Sequence, residues 1–383
     1  MQHGKTSRMR IVIAGGGPAG SSLAIRCAGA GHEVTLIEKE IFPREKLCGE
    51  FISPECVGHF KELGVMGEML AKGAQTITET RFYSTSGRAA AVPCEWMGGE
   101  ALGLSRARMD TVLLNAARDR GVRVIEGGKL ARVNVEDRRI TNIEVTHGGE
   151  RLVLEGDLFV DASGRAAALR RLAGREAGDE ETKPERASYL GFKVHMAGTG
   201  LRAGRCEMYI FRGGYAGLSS VENGLSNLCF LIDTKTARKF GADGETLLKE
   251  AICENPRALE VIAGAGTVGR WLTVAVRRFG RLPAIRFENL VAAGDAASFI
   301  DPFTGSGMLI AFQSSKLLAD CLIESPERLN ERYDAVHSRH FGRRFRAAAA
   351  LRQAALQPLV ASTAIATVFR SRRLRRSFTK WTR

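Results

Sequence analysis

Four glycines and one glutamate near the N-terminus have the types and the spacing to bind a nucleotide. The stretch RIVIAGGGPAGSSLAIRCAGAGHEVTLIEKE covers residues 10–40 and contains the order G-x-G-x-x-G. Gly15 permits a tight turn, Gly17 lets the backbone approach a pyrophosphate, and Gly20 lets a helix pack closely on a strand. Glu38 follows at the distance of an acid that accepts hydrogen bonds from ribose hydroxyls, which favours a free 2′-hydroxyl over a 2′-phosphate.

The elements around these residues support a dinucleotide site. RIVIAG is typical of a short buried strand, SSLAIRCAGAG of a helix and EVTLIEKE of a second strand. The N–H groups of the first helical turn and the helix dipole would hold the phosphates. We therefore assign Pro18 and Ala19 to the predicted cofactor site, together with Lys39 beside the acid. The motif alone does not separate FAD from NAD.

A second segment near residue 300 predicts another contact with a negatively charged group. NLVAAGDAASFIDPFTGSGMLIAFQSSKLLAD has the pattern of a buried strand ending in Gly-Asp, a turn-rich loop and a helix. The exposed N–H groups at the start of that helix would stabilise the negative charge of a reduced flavin. The predicted contacts in this segment are Asp295, Pro302, Gly305, Ser306, Gly307 and Met308. Asp301 fits either this site or an ordinary turn.

Together with KEIFPREKLCGEFISPE and DLFVDASGR, these segments resemble the flavoprotein superfamily of group A flavin monooxygenases, flavin-dependent halogenases and geranylgeranyl reductases. The resemblance covers about residues 9–325. It implies one FAD, whose ADP half lies on the first glycines and Glu38. Arg106, in LSRARMD, matches the arginine beside the cofactor, and Asp295 matches the aspartate that bonds the ribityl or pyrophosphate part. The implied fold is α/β: a Rossmann-like FAD-binding domain (GR2-type) with an inserted antiparallel β-sheet substrate domain and a helical C-terminus.

The resemblance also draws attention to four further positions, in the segments VDASGR and KLCGE. VDASGR takes the place of an Asp-Gly pair that contacts FAD and NAD(P)H in the aromatic hydroxylases, but here two residues separate Asp161 from Gly164. This departure leaves direct use of NAD(P)H open, and Asp161 also fits a plain strand-end turn. The Cys48-Gly49 pair of KLCGE is similar to one near the isoalloxazine in geranylgeranyl reductases. Cys48 there could tune the flavin or supply a proton, or be a small apolar residue.

Basic side chains of the same loop, Arg44 and Lys46, are expected to meet phosphate or ribityl oxygens, or water. We predict that the FAD domain comprises residues 1–75, 101–183 and 286–330. The substrate domain would comprise residues 76–100 and 184–285, and a basic helical tail residues 331–383.

Aromatic residues of the second sheet would roof the cavity over the flavin, and the candidates are Phe192, Tyr209, Phe211, Tyr215 and Phe230. His195 lies in a strand pattern, which favours a structural position.

Two reactions fit these motifs. Reduced flavin could form a C4a-hydroperoxide with oxygen and hydroxylate or epoxidise an apolar, lipid-like or carrier-bound substrate, or it could add hydride to a carbon–carbon double bond. FPR and FIDP resemble the oxygen-using branches, whereas CGE and TGSG resemble the reductase branch; we lean to oxygenation, with NAD(P)H or another reductant. The halogenase lysine and the Trp-x-Trp-x-Ile pattern have no match, which argues against chlorination. A non-catalytic FAD-binding protein is the third alternative.

Composition limits the remaining function classes. The chain has 383 residues, a formal charge of +14 and 44% hydrophobic residues, with eight scattered cysteines that suggest reduced thiols and no metal site. Residues 335–383 carry twelve Lys or Arg and no acid. The rest is nearly neutral, so the charge does not favour nucleic acid. We predict a cytoplasmic protein whose tail, with Phe378 and Trp381, either rests on the inner face of an anionic membrane or is solvated.

Overall fold

The computed structural model describes residues 8–179, 186–277, 279–324 and 326–355. Short alternating apolar runs form its strands, which in chain order are β1 (Arg10–Ala14), β2 (Glu33–Glu38), β3 (Phe51–Ile52), β4 (Gln75–Ile77), β5 (Glu79–Tyr83), β6 (Ala89–Pro93), β7 (Ala101–Gly103), β8 (Arg123–Glu126), β9 (Lys129–Glu136), β10 (Arg139–His147), β11 (Glu150–Glu155), β12 (Leu158–Asp161), β13 (Tyr189–Ala197), β14 (Arg205–Phe211), β15 (Gly214–Ser220), β16 (Ser226–Asp233), β17 (Gly266–Val276), β18 (Gly280–Arg281), β19 (Leu290–Ala292) and β20 (Ser298–Phe299).

Segments with apolar residues three and four apart form the helices. In chain order these are α1 (Pro18–Gly29), α2 (Pro54–Glu62), α3 (Met66–Ala71), α4 (Arg106–Arg118), α5 (Ala168–Glu176), α6 (Thr234–Lys239), α7 (Gly244–Glu250), α8 (Pro256–Ile262), α9 (Gly307–Glu324) and α10 (Leu329–Ala355). The stretch GETLLKEAICENPRALEVI, expected to be helical throughout, divides into α7 and α8. Pro256 starts the second helix, and the Asn255 side chain accepts a hydrogen bond from the Arg257 N–H at its N-terminus.

A five-stranded parallel sheet forms the first layer, in the order β19-β12-β1-β2-β8. Alternate residues of β1 enter different cores, as the two-residue period of a strand requires. Ile11 and Ile13 pack with the side covered by α1, α4 and α9. Val12 packs with the side covered by α5 and the antiparallel sheet β11-β10-β9. Helices on one face and a small sheet on the other thus bury both faces of the parallel sheet, as the predicted fold class required.

The short strands after α4 divide between two sheets. Their lengths and the turns between them predict one small β-meander beside the parallel sheet. In the structure β8 and β12 join the parallel sheet, and only β9, β10 and β11 form the meander. β12 is buried on both faces, which explains the apolar run LFV before Asp161.

A seven-stranded sheet forms the second half of the molecule, in the order β17-β13-β16-β15-β14-β5-β6. All neighbouring strands are antiparallel except β14 and β5, which are parallel. The parallel sheet takes its strands from residues 10–161 and 290–292, whereas the seven-stranded sheet takes them from residues 79–93 and 189–276. The chain therefore passes repeatedly between the two halves. The exact domain boundaries stay a prediction.

One face of the seven-stranded sheet is covered by α6, α7 and α8, and this corrects the predicted roof. Phe192, Tyr209, Phe211 and Phe230 all pack on that helix-covered face. Tyr215 lies on the opposite face, with Leu231 and Val276. The sequence period identifies which residues share a face, but it cannot tell which face a second layer of helices covers.

α10 follows α9 and packs against it. The basic residues 356–383 lie outside the described part of the chain, so the predicted role of the tail is not addressed by the structure. Over the described ranges, no helix is both long and apolar enough to span a bilayer.

Candidate functional site

The G-x-G-x-x-G turn lies at the carboxyl edge of the parallel sheet, between β1 and α1. Gly15 has φ +114°, and a β-carbon there would lie 2.3 Å from the Ala162 carbonyl oxygen. A β-carbon at Gly20 would lie 1.8 Å from the Gly15 carbonyl oxygen. Both positions therefore require glycine, because the turn presses against the end of β12 and against the first turn of α1.

Gly17 has a different environment, which points to an anion. It caps α1 with no side-chain hydrogen bond, Pro18 occupies the start of the helix, and the first turn contains no acid. A β-carbon added at Gly17 would lie 3.7 Å from Nη2 of both Arg44 and Arg106. Two guanidinium groups thus approach a helix N-terminus whose side toward them is open, as a pyrophosphate would require.

Asp110 holds the two arginines in place, and the sequence interpretation did not single it out. Its carboxylate accepts hydrogen bonds from Arg106 Nε and Nη2 at 2.8 and 2.7 Å and from Arg44 Nη1 at 2.8 Å. Burial alone would lower the pKa of Arg106, but Asp110 raises it above the ordinary value. The i,i+4 spacing of Arg106 and Asp110 on a predicted helix is a signal that could have revealed this pair.

Glu38 ends β2 and is buried beside the glycine turn. Oε2 accepts the Gly16 N–H at 2.8 Å and Oε1 accepts the Glu40 N–H at 3.0 Å. A carboxylate oxygen has further lone pairs, so both could still accept ribose hydroxyls. Lys39 is exposed and pairs with Glu40 at 3.4 Å, so its side chain meets solvent as well as any cofactor.

The Cys48-Gly49 loop lies between the cofactor edge and the seven-stranded sheet. The Cys48 thiol accepts the Glu50 N–H at 3.4 Å, and its carbonyl accepts Asn227 Nδ2 at 3.0 Å. Cys48 also raises the pKa of Arg106, so thiol and guanidinium are neighbours. Burial and then the positive charges of Arg44 and Arg106 lower the pKa of Lys46, which places this amine in the same cleft.

Asp295 follows β19 at the same carboxyl edge, as a strand-end aspartate should. Burial raises the pKa of its carboxyl, although Arg165, Arg106 and Lys46 act in the opposite direction. Among the described residues none donates a hydrogen bond to this carboxylate. A half-buried carboxylate facing three cations, with no protein donor of its own, fits the ribityl hydroxyls of FAD.

The loop before α9 brings the remaining predicted contacts to this edge. Gly305 has φ +61°, and a β-carbon added to it would lie 3.3 Å from the ring of Phe51. Ser306 is buried, and its carbonyl accepts the Ile310 N–H as α9 begins at Gly307. Gly307 and Met308 therefore present their N–H groups in the first turn, where no acid competes. Pro302 precedes them in a short 3-10 turn.

Of the two roles predicted for Asp161, the structure shows that of a residue in the turn after the strand. Its side chain is fully buried, Oδ1 accepts the Ser163 N–H at 3.0 Å and hydroxyl at 2.6 Å, and Oδ2 accepts the Arg170 N–H at 2.9 Å. The carboxylate therefore holds the turn after β12 and the start of α5, which corrects the expected side-chain contact with the cofactor. Gly164, with φ +74°, belongs to the same turn.

An apolar face lies opposite this edge. This face is the side of the seven-stranded sheet that α6–α8 do not cover, together with the loop before α9. Its residues are Tyr189, Met208, Tyr215, Leu231, Val274, Val276, Phe279, Phe299 and Phe303. The rings of Tyr215 and Phe303 meet edge to face at 5.0 Å. Arg165 stacks over Phe299 at 5.0 Å. Because Arg165 also faces Asp295, the apolar face borders the cofactor edge.

Charged residues of the same sheet face also reach the cofactor edge. The sequence favoured a structural position for His195 and did not single out Lys193. Lys193 and His195 contact the fully buried Glu50, two residues after Cys48. The signal was present in YLGFKVHMA, where two polar residues alternate with buried apolar ones. Alternate positions share one face of a strand, so a Lys and a His there predict a polar interior contact.

Residues from four distant segments thus surround one cleft whose chemistry fits FAD. Gly17 with Arg44 and Arg106 would hold the pyrophosphate, and Glu38 the adenosine ribose. Asp295 would hold the ribityl chain, and the N-terminus of α9 the pyrimidine edge of the flavin. These assignments agree in position with the cofactor residues expected from the sequence, apart from the Asp161 side chain.

Comparisons with known proteins give the same family. The model of the FAD binding domain family matches residues 8–353. Conditioned medium factor receptor 1 of Dictyostelium discoideum is 23% identical over 84% of this chain and 64% of its own length. Menaquinone reductase of Mycobacterium tuberculosis is 31% identical over 43% of this chain and 40% of its own length. The chain thus spans less than two thirds of either protein.

The predicted superfamily is confirmed, because digeranylgeranylglycerophospholipid reductase 1 of Methanococcoides burtonii and tryptophan 2-halogenase of Chondromyces crocatus are also similar to this chain. The solved structure of the flavin-dependent brominase Bmp2 covers 98% of this chain and 93% of its own, with a TM-score of 0.81 and 19% identity, which shows a shared fold. The chain belongs to the FAD binding domain family.

Proposed function

We propose that this protein is an FAD-dependent monooxygenase that hydroxylates or epoxidises an apolar small molecule. The apolar face beside the cofactor edge is the observation that carries the proposal. The rings and aliphatic side chains of this face can bind an apolar or aromatic ligand and exclude water. Bound FAD would supply two-electron redox chemistry, with electrons from NAD(P)H or another reductant.

The chain's own residues would orient the substrate and keep the site dry. Phe303 and Tyr215 offer ring edges and faces against which an aromatic or unsaturated substrate can pack. The Tyr215 hydroxyl donates to Asp301 Oδ1 at 2.7 Å, so it is already engaged and adds little polarity to the face. Asp301 also accepts the Phe303 N–H at 2.9 Å, which fixes that ring in position.

A carbon–carbon double-bond reductase is the second candidate, and Cys48 is the observation that favours it. A reductase must deliver a proton to the carbon next to the one that receives hydride. The half-buried Cys48 thiol lies at the cofactor edge beside Arg106 and could donate that proton. Menaquinone reductase, the named relative that is 31% identical, is also a reductase by name.

An anaerobic assay separates the two candidates. The FAD-loaded enzyme would be supplied with NADPH or dithionite and a panel of apolar phenols, aryl compounds and polyenes, and the products analysed by mass. A monooxygenase gives product only with oxygen, and isotopically labelled oxygen gas adds one labelled atom to it. A reductase gives a product two hydrogens heavier without oxygen, and Cys48→Ala should slow it. Product formed equally under nitrogen would overturn the monooxygenase.

A further inference from the structure

A charge cluster with a buried centre and one exposed member, Glu45, joins the seven-stranded sheet to the Cys48 loop, and the proposed reaction does not use it. The cluster consists of Glu45, Glu50, Lys193 and His195. Lys193 Nζ contacts Glu45 Oε2 and Glu50 Oε1, both at 2.6 Å. His195 Nε2 lies 2.7 Å from Glu50 Oε2. The side chains of Lys193 and Glu50 are 2% and 0% exposed, so these charges interact with little screening.

Glu50 stands at the centre of three elements. Glu50 contacts Lys193 and His195 of β13. Its Oε1 also accepts a hydrogen bond at 2.8 Å from the backbone N–H of Arg106, the first residue of α4. Its own N–H donates to the Cys48 thiol at 3.4 Å. Glu50 has φ +53°, a left-handed conformation that costs a non-glycine residue free energy and persists only where the surroundings impose it. Glu50 therefore contacts both residues at the flavin edge, Arg106 through its carboxylate and Cys48 through its backbone N–H.

The cluster has a net charge that can change by one unit. Burial alone would lower the pKa of Lys193, but Glu50 and Glu45 raise it, so the amine stays protonated. With the two carboxylates ionised the sum is −1 when His195 is neutral and zero when it is protonated. His195 keeps 14% of its side-chain surface exposed, and Nδ1 has no hydrogen-bond partner among the described residues, so protons can reach it.

The neighbours of His195 come from its own strand, from the two adjacent strands and from the Cys48 loop. On its own strand Lys193 is adjacent, and from the loop come Glu50 and Glu45. Its neighbours on β16 and β17 are Asn227 and Val268, which carry no charge. Cys229 lies close to Lys193, Glu50, Cys48 and Arg165, which all affect the pKa of its thiol. Arg106 lies near Cys48, which raises the pKa of Arg106.

We propose that Glu50 is a positioning residue that holds Cys48 and Arg106 at the flavin, and that protonation of His195 changes the charge of this cluster and thereby the reactivity of the thiol and the flavin. When His195 loses its proton, the net charge of the cluster falls from zero to −1. The more negative cluster disfavours a thiolate at Cys48 and negative charge on a reduced flavin. The inference goes beyond the proposed function, because it holds for oxygenation and for reduction alike.

The test follows the Cys48 thiol in the FAD-loaded enzyme. Alkylation of Cys48 by iodoacetamide would be measured by peptide mass spectrometry from pH 5 to 9. For an isolated thiol the logarithm of the rate rises linearly with pH until the thiolate dominates. In the wild type the line should flatten by about threefold to tenfold within this pH range. His195→Gln should remove the flattening, and Glu50→Gln should raise the rate at neutral pH.

Two controls separate positioning from loss of structure. His147→Gln replaces an exposed histidine, and Glu207→Gln replaces a glutamate that is equally buried, but on the helix-covered face beside Arg257. Both should follow the wild-type curve. The midpoint potential of bound FAD provides a second measurement, since it should lose its extra pH dependence in His195→Gln. A His195→Gln profile that superimposes on the wild type in both measurements would overturn the inference, as would an unreactive Cys48 in Glu50→Gln.

Discussion

Individual charged residues decide how the cofactor edge receives its ligand. Arg44 is 11% exposed and pairs with the fully buried Asp110 at 2.8 Å, while its second guanidinium nitrogen faces Gly17. One guanidinium nitrogen thus pairs with Asp110, and the other lies 3.8 Å from Glu38 Oε2 and faces the predicted pyrophosphate position. Asp110 compensates the positive charges before any cofactor binds, which lets two guanidinium groups share one cleft.

Replacing Arg44 tests this arrangement. Arg44→Met keeps the length of the side chain but removes the charge-assisted hydrogen bonds, so FAD should dissociate about tenfold to a hundredfold more readily. Quenching of FAD fluorescence on titration with apoprotein measures the dissociation constant. Arg151→Met is the matched control, because Arg151 is 75% exposed on β11. Equal affinity of Arg44→Met and wild type would contradict the assigned site.

The elements that close the site are the loop before α9 and the last described turn of α10. Arg352 of α10 lies over the rings of Tyr189 and Phe279 and pairs with Asp301 at 2.9 Å. Asp301 is 2% exposed and also accepts from Tyr215, so the ion pair joins α10 to the apolar face. A helix from the end of the described chain thereby borders the substrate side of the site.

Removing this contact should loosen α10. Arg352→Met leaves the buried Asp301 carboxylate without its cation, and the free energy of unfolding should fall by about 2 to 4 kcal/mol. Urea unfolding followed by circular dichroism measures the loss. Arg343→Met, exposed on the same helix, is the control and should change little. Adding Asp301→Asn to Arg352→Met should cost less than the sum of the single effects, and simple additivity would argue against a direct pair.

The stability of the whole molecule should depend on a histidine outside the cofactor site. His337 of α10 is 1% exposed, and its ring packs between Tyr333 and Phe341. Burial lowers the pKa of His337 from 6.5 to about 4, and Arg281 acts in the same direction. The unfolded chain therefore binds a proton at this residue at a higher pH than the folded chain does.

The sign of the pH dependence follows from this difference. Above pH 6.5 the neutral ring is common to both states, and between 6.5 and 4 only the unfolded state gains the proton. This one residue should thus lower the unfolding free energy by up to about 3 kcal/mol as the pH falls through that interval. Urea unfolding of His337→Gln should show a shallower dependence than wild type, whereas His147→Gln should not. Parallel curves for His337→Gln and wild type would contradict the assignment.

The sequence by itself determined the dinucleotide unit, because its determinants are local. A strand, a tight glycine turn, a helix and an acid follow one another within residues 10–40, and each glycine role depends on neighbours close in the chain. The positions of Asp295 at a strand end and of the glycine-rich loop before α9 could be predicted for the same reason. Spacing alone therefore located most of the cofactor edge.

Only the tertiary structure decided what faces that edge. The Glu50–Lys193–His195 cluster joins residues about 145 positions apart. No local pattern predicts that β13 and the Cys48 loop meet. The same holds for Phe192 and Phe230, whose alternation defined a shared face but not which layer covers it. Side-chain period is a property of one strand, whereas burial depends on the layers packed against it, and those come from distant parts of the chain.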